Sequence, residues 1–152
     1  MITIGTARAV ADLSQGLALA TVEVTAGSDR VFQALASEDL LRWWVRPGVF
    51  DTREWSGDVR AGGAWRASGI GGGLPYVLHG RFLEVDPPRR LVHTWALGDG
   101  PESTVEYEVE PVEGGTRITL RHKGLAARQT CAATAIGWET SFEELARMLG
   151  ER

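Results

Sequence analysis

The sequence lacks several features that would assign it to a functional class. Cys131 is the single cysteine in 152 residues, so no internal disulfide can form. No apolar run approaches the roughly 20 residues of a membrane span. The net charge is −4 with both signs interspersed, which does not provide the basic patch of a nucleic-acid-binding protein. We therefore expect a cytoplasmic protein with no membrane span and no nucleic-acid partner.

Motifs for metals and cofactors are also missing. The histidines, His79, His93 and His122, form neither an HExxH nor an HxxxH pattern, and the lone cysteine gives no Cys/His cluster. The glycine-rich stretch Gly69–Gly73 lacks the GK[ST] continuation of a phosphate-binding loop. The sequence therefore predicts no metal and no cofactor.

Tryptophan and glycine, by contrast, are plentiful. There are six tryptophans and nineteen glycines. Glycines suit the turns of a hairpin-rich sheet, and tryptophans either fill a large core or line an apolar cavity.

The order of the predicted elements indicates one domain. Residues 1–16 carry weak signals and are predicted to be a lead-in, so residues 17–152 form the domain. A strand is predicted at Leu17–Val24, followed by two short helices that begin at Ser28 and Ser37, both good N-cap residues. From residue 49 to residue 122 the pattern predicts six further strands joined by tight turns, and therefore an antiparallel meander.

The last segment predicts a long amphipathic helix. Between Cys131 and Leu149, apolar residues recur at three- and four-residue steps over about twenty residues, or roughly 30 Å. Gly137 lowers the helix propensity of this segment, which indicates a close packing contact, a pocket mouth or, equally, a simple imperfection of the helix. We predict an α+β fold in which this helix crosses a curved antiparallel sheet of about six or seven strands.

A straight helix cannot contact a strongly curved sheet along its whole length. The gap between them is either filled by large side chains or left as a cavity, and the tryptophans are compatible with both outcomes. The residues that we expect to face this space, and hence to bind a ligand, are Trp43, Trp44, Trp65, His93, Trp95, Tyr107, Leu120, His122, Cys131, Ala135, Trp138 and Phe142.

Few of these residues offer chemistry. His93, His122 and Tyr107 are weak catalytic candidates, because a histidine that titrates near neutral pH suits general acid–base work. A reaction would need such groups to converge, with Arg66 as a further candidate partner. Cys131 has no adjacent base in the sequence and is read as a small buried hydrophobe.

Several different local motifs follow one another along the chain. They are VFQAL at 31–35, Trp43-Trp44 with Pro47, VRAGG at 59–63, EVDPPRRL at 84–91 with Trp95, GGTRITL at 114–120, and Gly137-Trp138 with Leu145. In this order they resemble the AHSA-like family, named for activators of heat-shock-protein ATPase, within the START-like or birch-pollen-allergen-like superfamily. The resemblance covers about residues 17–149 and implies the helix-grip fold.

The resemblance implies three functions. The first is binding of an apolar or aromatic small molecule in the central cavity, by a monomer or a homodimer. The second is an enzyme similar to polyketide cyclases, aromatases or dehydratases. The third is a co-chaperone-like protein-interaction domain, which predicts an exposed apolar patch. The first requires no catalytic residue and is the reading that we carry forward.

Overall fold

A computed structural model describes residues 6–151 of the chain. These residues form nine strands and three helices, in the order two strands, two short helices, seven strands and one long helix. The strands are β1 (Arg8–Asp12), β2 (Leu17–Val24), β3 (Val45–Arg46), β4 (Phe50–Gly57), β5 (Ala64–Gly71), β6 (Leu74–Asp86), β7 (Arg90–Leu97), β8 (Ser103–Val112) and β9 (Gly115–Lys123). The helices are α1 (Ser28–Leu35), α2 (Leu40–Trp43) and α3 (Arg128–Leu149). The predicted α+β class, the two short helices and the long terminal helix are thus confirmed. The predicted N-caps are wrong, because Gly27 and Asp39 occupy these positions, and neither helix start has a side-chain cap.

All nine strands belong to one antiparallel sheet. Their order across it is β1-β2-β9-β8-β7-β6-β5-β4-β3, so neighbours in sequence are mostly neighbours in space. The exception is β2, which pairs with β9 and brings Ala20 opposite Leu120. This pairing joins the two ends of the domain, while the helices lie between β2 and β3 and after β9 in sequence.

The sheet has nine strands rather than the predicted six or seven. The additional strands are β1, which pairs with β2, and β3, which is two residues long and pairs with β4. Both lack a strong sequence signal, because β1 is short and alanine-rich and β3 is too short to show alternation. Strand β1 lies within residues 1–16, and residues 1–5 of that predicted lead-in fall outside the described residues.

The two faces of the sheet differ as the alternation in β8 predicts. Val105, Tyr107 and Val109 are buried beneath the helices. The opposite face carries ion pairs between acidic residues of β8 and basic residues of β9, such as Lys123 with Glu106 and Arg121 with Glu108. One face is therefore core and the other is solvated.

Helix α3 crosses the buried face. The side chains that it buries are Cys131, Ala135, Trp138, Ser141, Phe142, Leu145, Ala146 and Leu149, in agreement with the predicted apolar stripe. Burial of such side chains stabilises the fold by roughly 1.5–3 kcal/mol each for the larger aliphatic and aromatic ones. Helix packing, rather than helix propensity, therefore holds α3 in place.

Candidate functional site

Aromatic side chains fill most of the space between α3 and the sheet. Trp43, at the end of α2, is completely buried, and its ring lies 6.1 Å from Phe142 and 6.4 Å from Trp138 of α3. The Trp43 indole N–H donates a 2.8 Å hydrogen bond to the Ala34 carbonyl, which satisfies its only polar group. The predicted gap is therefore closed along the C-terminal half of α3.

Trp95 lies at the border of this packed cluster. It is only partly buried, although its ring contacts Trp44 at 5.2 Å and Trp138 at 5.5 Å between centroids. One face of Trp95 thus joins the core, and the remainder borders open space.

Three adjoining cavities meet at Trp95, and we call them together the Trp95 cleft. A cavity of about 440 Å³ lies between Trp95, Phe50 and the N-terminal half of α3. One of about 350 Å³ extends past Tyr76 and Leu78. The third, of about 530 Å³, lies beneath the segment 124–127 and includes Ser103 and His122. Cavities of this size accommodate a small organic molecule.

Apart from Trp138, the wall that α3 contributes to the cleft is made of small and polar residues. Thr130, Ala133, Thr134, Gly137 and Ser141 line the 440 Å³ cavity. A Cβ atom added at Gly137 would meet nothing within 4 Å. The free space around Gly137 contradicts the predicted close packing contact, and its place in the lining of the 440 Å³ cavity is that of a pocket mouth.

A chain of hydrogen bonds fixes the protonation of His122. The Trp138 indole N–H, which can only donate, gives a 3.0 Å hydrogen bond to His122 Nδ1. The neutral ring therefore carries its proton on Nε2, from which it donates to Ser103 Oγ at 2.7 Å. Ser103 Oγ in turn donates to the Trp95 carbonyl at 3.3 Å. His122 thus cannot act as a base toward Ser103, because its unprotonated nitrogen, Nδ1, already accepts the hydrogen bond from Trp138.

Both buried histidines are uncharged at neutral pH. Burial lowers the pKa of His122 to about 3, and repulsion from His93 adds to this effect. Burial also lowers the pKa of His93 to about 4, although the hydrogen bond to the Thr94 carbonyl opposes the shift. Protonated His122 would in addition set an Nδ1–H against the Trp138 N–H, two donors facing each other.

Tyr107 lies deeper than the cleft, with its ring 5.9 Å from His93. Burial raises the pKa of its phenol, and the nearby Trp44 indole opposes that rise. Among the described residues, neither the Tyr107 hydroxyl nor the Trp44 indole N–H has a hydrogen-bond partner of ordinary geometry. These two groups are a local cost in stability, because an unpaired buried polar group is unfavourable by roughly 1–3 kcal/mol.

A second hydroxyl chain lines the 350 Å³ cavity. Thr52 Oγ1 donates to the Trp44 carbonyl at 2.7 Å, and so it must accept from the Tyr76 hydroxyl, 2.5 Å away. Desolvation raises the pKa of Tyr76, so its phenol stays protonated at neutral pH. Its proton is used within the protein, and its oxygen lone pairs are not.

The predicted ligand-binding residues divide into three groups. Those that line the cleft are Trp44, Trp95, His122 and Trp138. Those in the packed core, outside the lining of these cavities, are Trp43, Trp65, His93, Tyr107, Leu120 and Phe142. Cys131 and Ala135 belong to a small separate cluster with Ala18 and Leu125, where the Cys131 thiol lies 3.4 Å from the Leu17 carbonyl.

Arg66, the further partner considered for a reaction, is exposed on β5, away from His93 and Tyr107. Within residues 6–151, no group of three or more His, Cys, Asp or Glu side chains is arranged to hold a metal ion. None of the described helices has the length and apolar character needed to cross a membrane.

Sequence reasoning missed much of the cleft wall. Phe50, Thr52, Tyr76, Leu78 and Ser103 line it, as does the polar side of α3. The small residues at 130, 133, 134, 137 and 141 recur at helical spacing beside the apolar stripe, and this signal could have identified the α3 wall. No local pattern marks Ser103, because its role depends on the pairing of β7 with β8, which places it opposite Trp95.

Several known structures share the architecture of this chain. A protein from Chromobacterium violaceum is 22% identical, with a TM-score of 0.80, covering 90% of this chain and 99% of its own. The AHSA1 protein from Silicibacter pomeroyi is 26% identical, with a TM-score of 0.74, covering 88% and 96%. DynU16, a protein in the dynemicin biosynthetic locus, is 22% identical, with a TM-score of 0.72. That match covers 88% of this chain and 47% of DynU16.

Among curated proteins, the mouse FAD-dependent oxidoreductase domain-containing protein 1 is 34% identical over 74 residues. The match covers 45% of this chain and 14% of the mouse protein, so the chain spans only a small part of that relative. The profile of the family described as "Activator of Hsp90 ATPase homolog 1-like protein" matches residues 25–150. That range includes both short helices, all strands from β3 to β9 and the whole of α3, and the chain therefore belongs to this family.

Proposed function

We propose that the protein binds an apolar, aromatic small molecule in the Trp95 cleft. The observation that carries this proposal is the contrast between Trp95 and the other tryptophans beneath α3. Trp43, Trp44, Trp65 and Trp138 are at most 4% exposed, whereas Trp95 is only partly buried and borders all three cavities. An indole face that lies next to a concave apolar space is a suitable platform for an aromatic ring.

The location of the cleft supports binding without demanding catalysis. The core beneath the C-terminal half of α3 is complete, so a ligand in the cleft is not required to fill the fold. DynU16, which shares the fold, is a protein in a biosynthetic locus, and this is compatible with a small-molecule ligand.

The arrangement of the groups that a reaction would need supports an enzyme less well than it supports a binding protein. His122 borders the cleft, but its Nδ1 is bound to Trp138 and its Nε2 proton to Ser103. His93 and Tyr107 are buried behind the tryptophans, and Arg66 is exposed elsewhere. A cyclase-like activity would therefore require a rearrangement of this hydrogen-bonded cluster.

Isothermal titration calorimetry with naphthalene tests the binding proposal. We expect saturable binding of one molecule per chain. The matched variants are Ala133→Trp, at an exposed position that lines the 440 Å³ cavity, and Ile136→Trp, at an exposed position of the same helix outside the lining of the cleft. Binding should be weakened in Ala133→Trp and retained in Ile136→Trp.

Two outcomes would overturn the proposal. One is the absence of saturable binding by a folded protein. The other is equal binding by the two tryptophan variants, because occupation of the cleft should depend on the free space beside residue 133.

A further inference from the structure

We propose that the ligand of the Trp95 cleft is a neutral aromatic molecule that donates a hydrogen bond, of which a phenol is the simplest example, and that Ser103 Oγ is its acceptor. This inference rests on the proposed binding function and specifies the chemistry of the ligand. It is carried by two observations, the uncharged wall of the cleft and the direction of the hydrogen bonds that end at its surface.

The wall of the cleft carries no formal charge at neutral pH. Among the described residues that line the three cavities, none is Asp, Glu, Lys or Arg. His122 is the only titratable imidazole among them, and its contact with Trp138 holds it neutral. A carboxylate or an ammonium group would therefore lose solvation inside the cleft without gaining an opposite charge.

Ser103 presents an acceptor and not a donor. Its proton is directed at the Trp95 carbonyl, and one lone pair of Oγ accepts the Nε2 proton of His122. The second lone pair has no partner within this chain of bonds, and Ser103 borders the 530 Å³ cavity. A ligand can therefore form a further hydrogen bond with Ser103 Oγ only as the donor.

The opposite part of the cleft follows the same rule. The Tyr76 hydroxyl donates a hydrogen bond to Thr52 Oγ1, and the Thr52 hydroxyl donates one to the Trp44 carbonyl. The oxygen of Tyr76 in the 350 Å³ cavity is thus also an acceptor. Two separate hydroxyl chains, each ending at a backbone carbonyl beside an indole, favour a donor on the ligand.

Trp95 borders both the cavity that contains Tyr76 and the cavity that contains Ser103. A flat ring packed against Trp95 can place a substituent toward Ser103 while its faces remain on apolar side chains. A phenol meets this requirement and is uncharged at pH 7.

Calorimetric titration of matched naphthalene derivatives at pH 7 tests the inference. The probes are 2-naphthol, 2-methoxynaphthalene, which cannot donate, and 2-naphthoate, which is an anion. We expect 2-naphthol to bind roughly 2- to 10-fold more tightly than 2-methoxynaphthalene, the effect of one neutral hydrogen bond. We expect 2-naphthoate to bind at least about 10-fold more weakly than 2-naphthol.

The role of Ser103 is tested by Ser103→Ala, with Thr116→Val as the matched control. Thr116 is another buried hydroxyl that donates to a backbone carbonyl, that of Ala26, and it lies outside the lining of the cleft. The preference for 2-naphthol should disappear in Ser103→Ala and persist in Thr116→Val. The ring nitrogens of His122, observed by ¹⁵N NMR, should show an unprotonated Nδ1 and a protonated Nε2 in the unliganded wild type.

The outcomes separate this inference from the proposed function. If naphthalene shows no saturable binding, the proposed function is overturned, and so is the inference that rests on it. If naphthalene binds but 2-methoxynaphthalene or 2-naphthoate binds as tightly as 2-naphthol, only the inference is overturned. The same follows if the preference survives in Ser103→Ala, or if Nδ1 of His122 carries the proton; the wild-type comparison decides even if Ser103→Ala fails to fold.

Discussion

The two halves of α3 contact different kinds of surroundings. The C-terminal half packs Phe142 and Leu145, both fully buried, against the sheet and the end of α2. The N-terminal half instead presents Thr130, Thr134 and Gly137 to the Trp95 cleft. One helix thus stabilises the fold at one end and forms a binding surface at the other, so substitutions in the two halves should affect different measurements.

The largest effect is expected in the packed half. Phe142→Ala should lower the free energy of unfolding by about 3–5 kcal/mol, because it removes a fully buried aromatic ring from a close-packed core. Urea denaturation measures the change. Ile136→Ala, at a position 51% exposed on the same helix, should change it by less than about 0.5 kcal/mol. A loss of stability in Phe142→Ala as small as that in Ile136→Ala would show that the core beneath Phe142 is not close-packed.

Lowering the pH from 6.5 toward 4 should destabilise the folded protein through its two buried histidines, His93 and His122. The pKa values of His93 and His122 are about 4 and about 3 in the folded protein, below the ordinary value of about 6.5 in the unfolded chain. The unfolded state therefore binds more protons as the pH falls from 6.5 toward 4. Stability should decrease over this range by roughly 1 kcal/mol per pH unit for each histidine.

Urea denaturation at several pH values between 6.5 and 5 measures this slope. A stability that does not change over this range would contradict the burial of two neutral histidines.

At Trp95 the effect should move from stability to binding. Trp95→Ala should weaken naphthalene binding about 2- to 10-fold, the contribution of one aromatic pair, while the free energy of unfolding falls by only about 1–2 kcal/mol. Trp55→Ala is the matched control, since Trp55 is also partly buried but does not line the cleft. Calorimetry and urea denaturation of the two variants separate the roles. Equal losses of affinity would place the probe outside the cleft.

The smallest expected effect is a gain. Gly137→Ala should stabilise the protein by about 0.5–1 kcal/mol, because alanine restricts the unfolded chain and the added methyl group has free space around it. Ala135→Gly, at a buried position of the same helix, should instead destabilise it. Thermal denaturation checks both. A loss of stability in Gly137→Ala would indicate that the cleft is narrower than described.

The fold was predictable from sequence because its signals are periodic and local. The alternation in β8 and the three- and four-residue steps from Cys131 to Leu149 each identified an element and its buried face. The two additional strands escaped prediction, since β1 and β3 owe their existence to pairing with β2 and β4 and not to their own residues. Sheet extension of this kind is a tertiary effect.

The site was predictable only in outline. The sequence placed tryptophans beneath the helix but could not decide which of them fill the space and which border it. That distinction depends on how far the curved sheet departs from α3 near Trp95. The hydrogen-bond partners of His122, Ser103 of β8 and Trp138 of α3, are 19 and 16 residues away along the chain, and so its tautomer could not be inferred from local patterns.

The contact distances within the tryptophan cluster also have an optical consequence. Trp44 lies 5.5 Å from Trp65 and 5.2 Å from Trp95, and Trp95 lies 5.5 Å from Trp138. Indoles at such separations exchange excitation energy, so light absorbed anywhere in the cluster can be emitted or quenched at Trp95. The intrinsic fluorescence of this tryptophan cluster should therefore report what occupies the cleft, without any label.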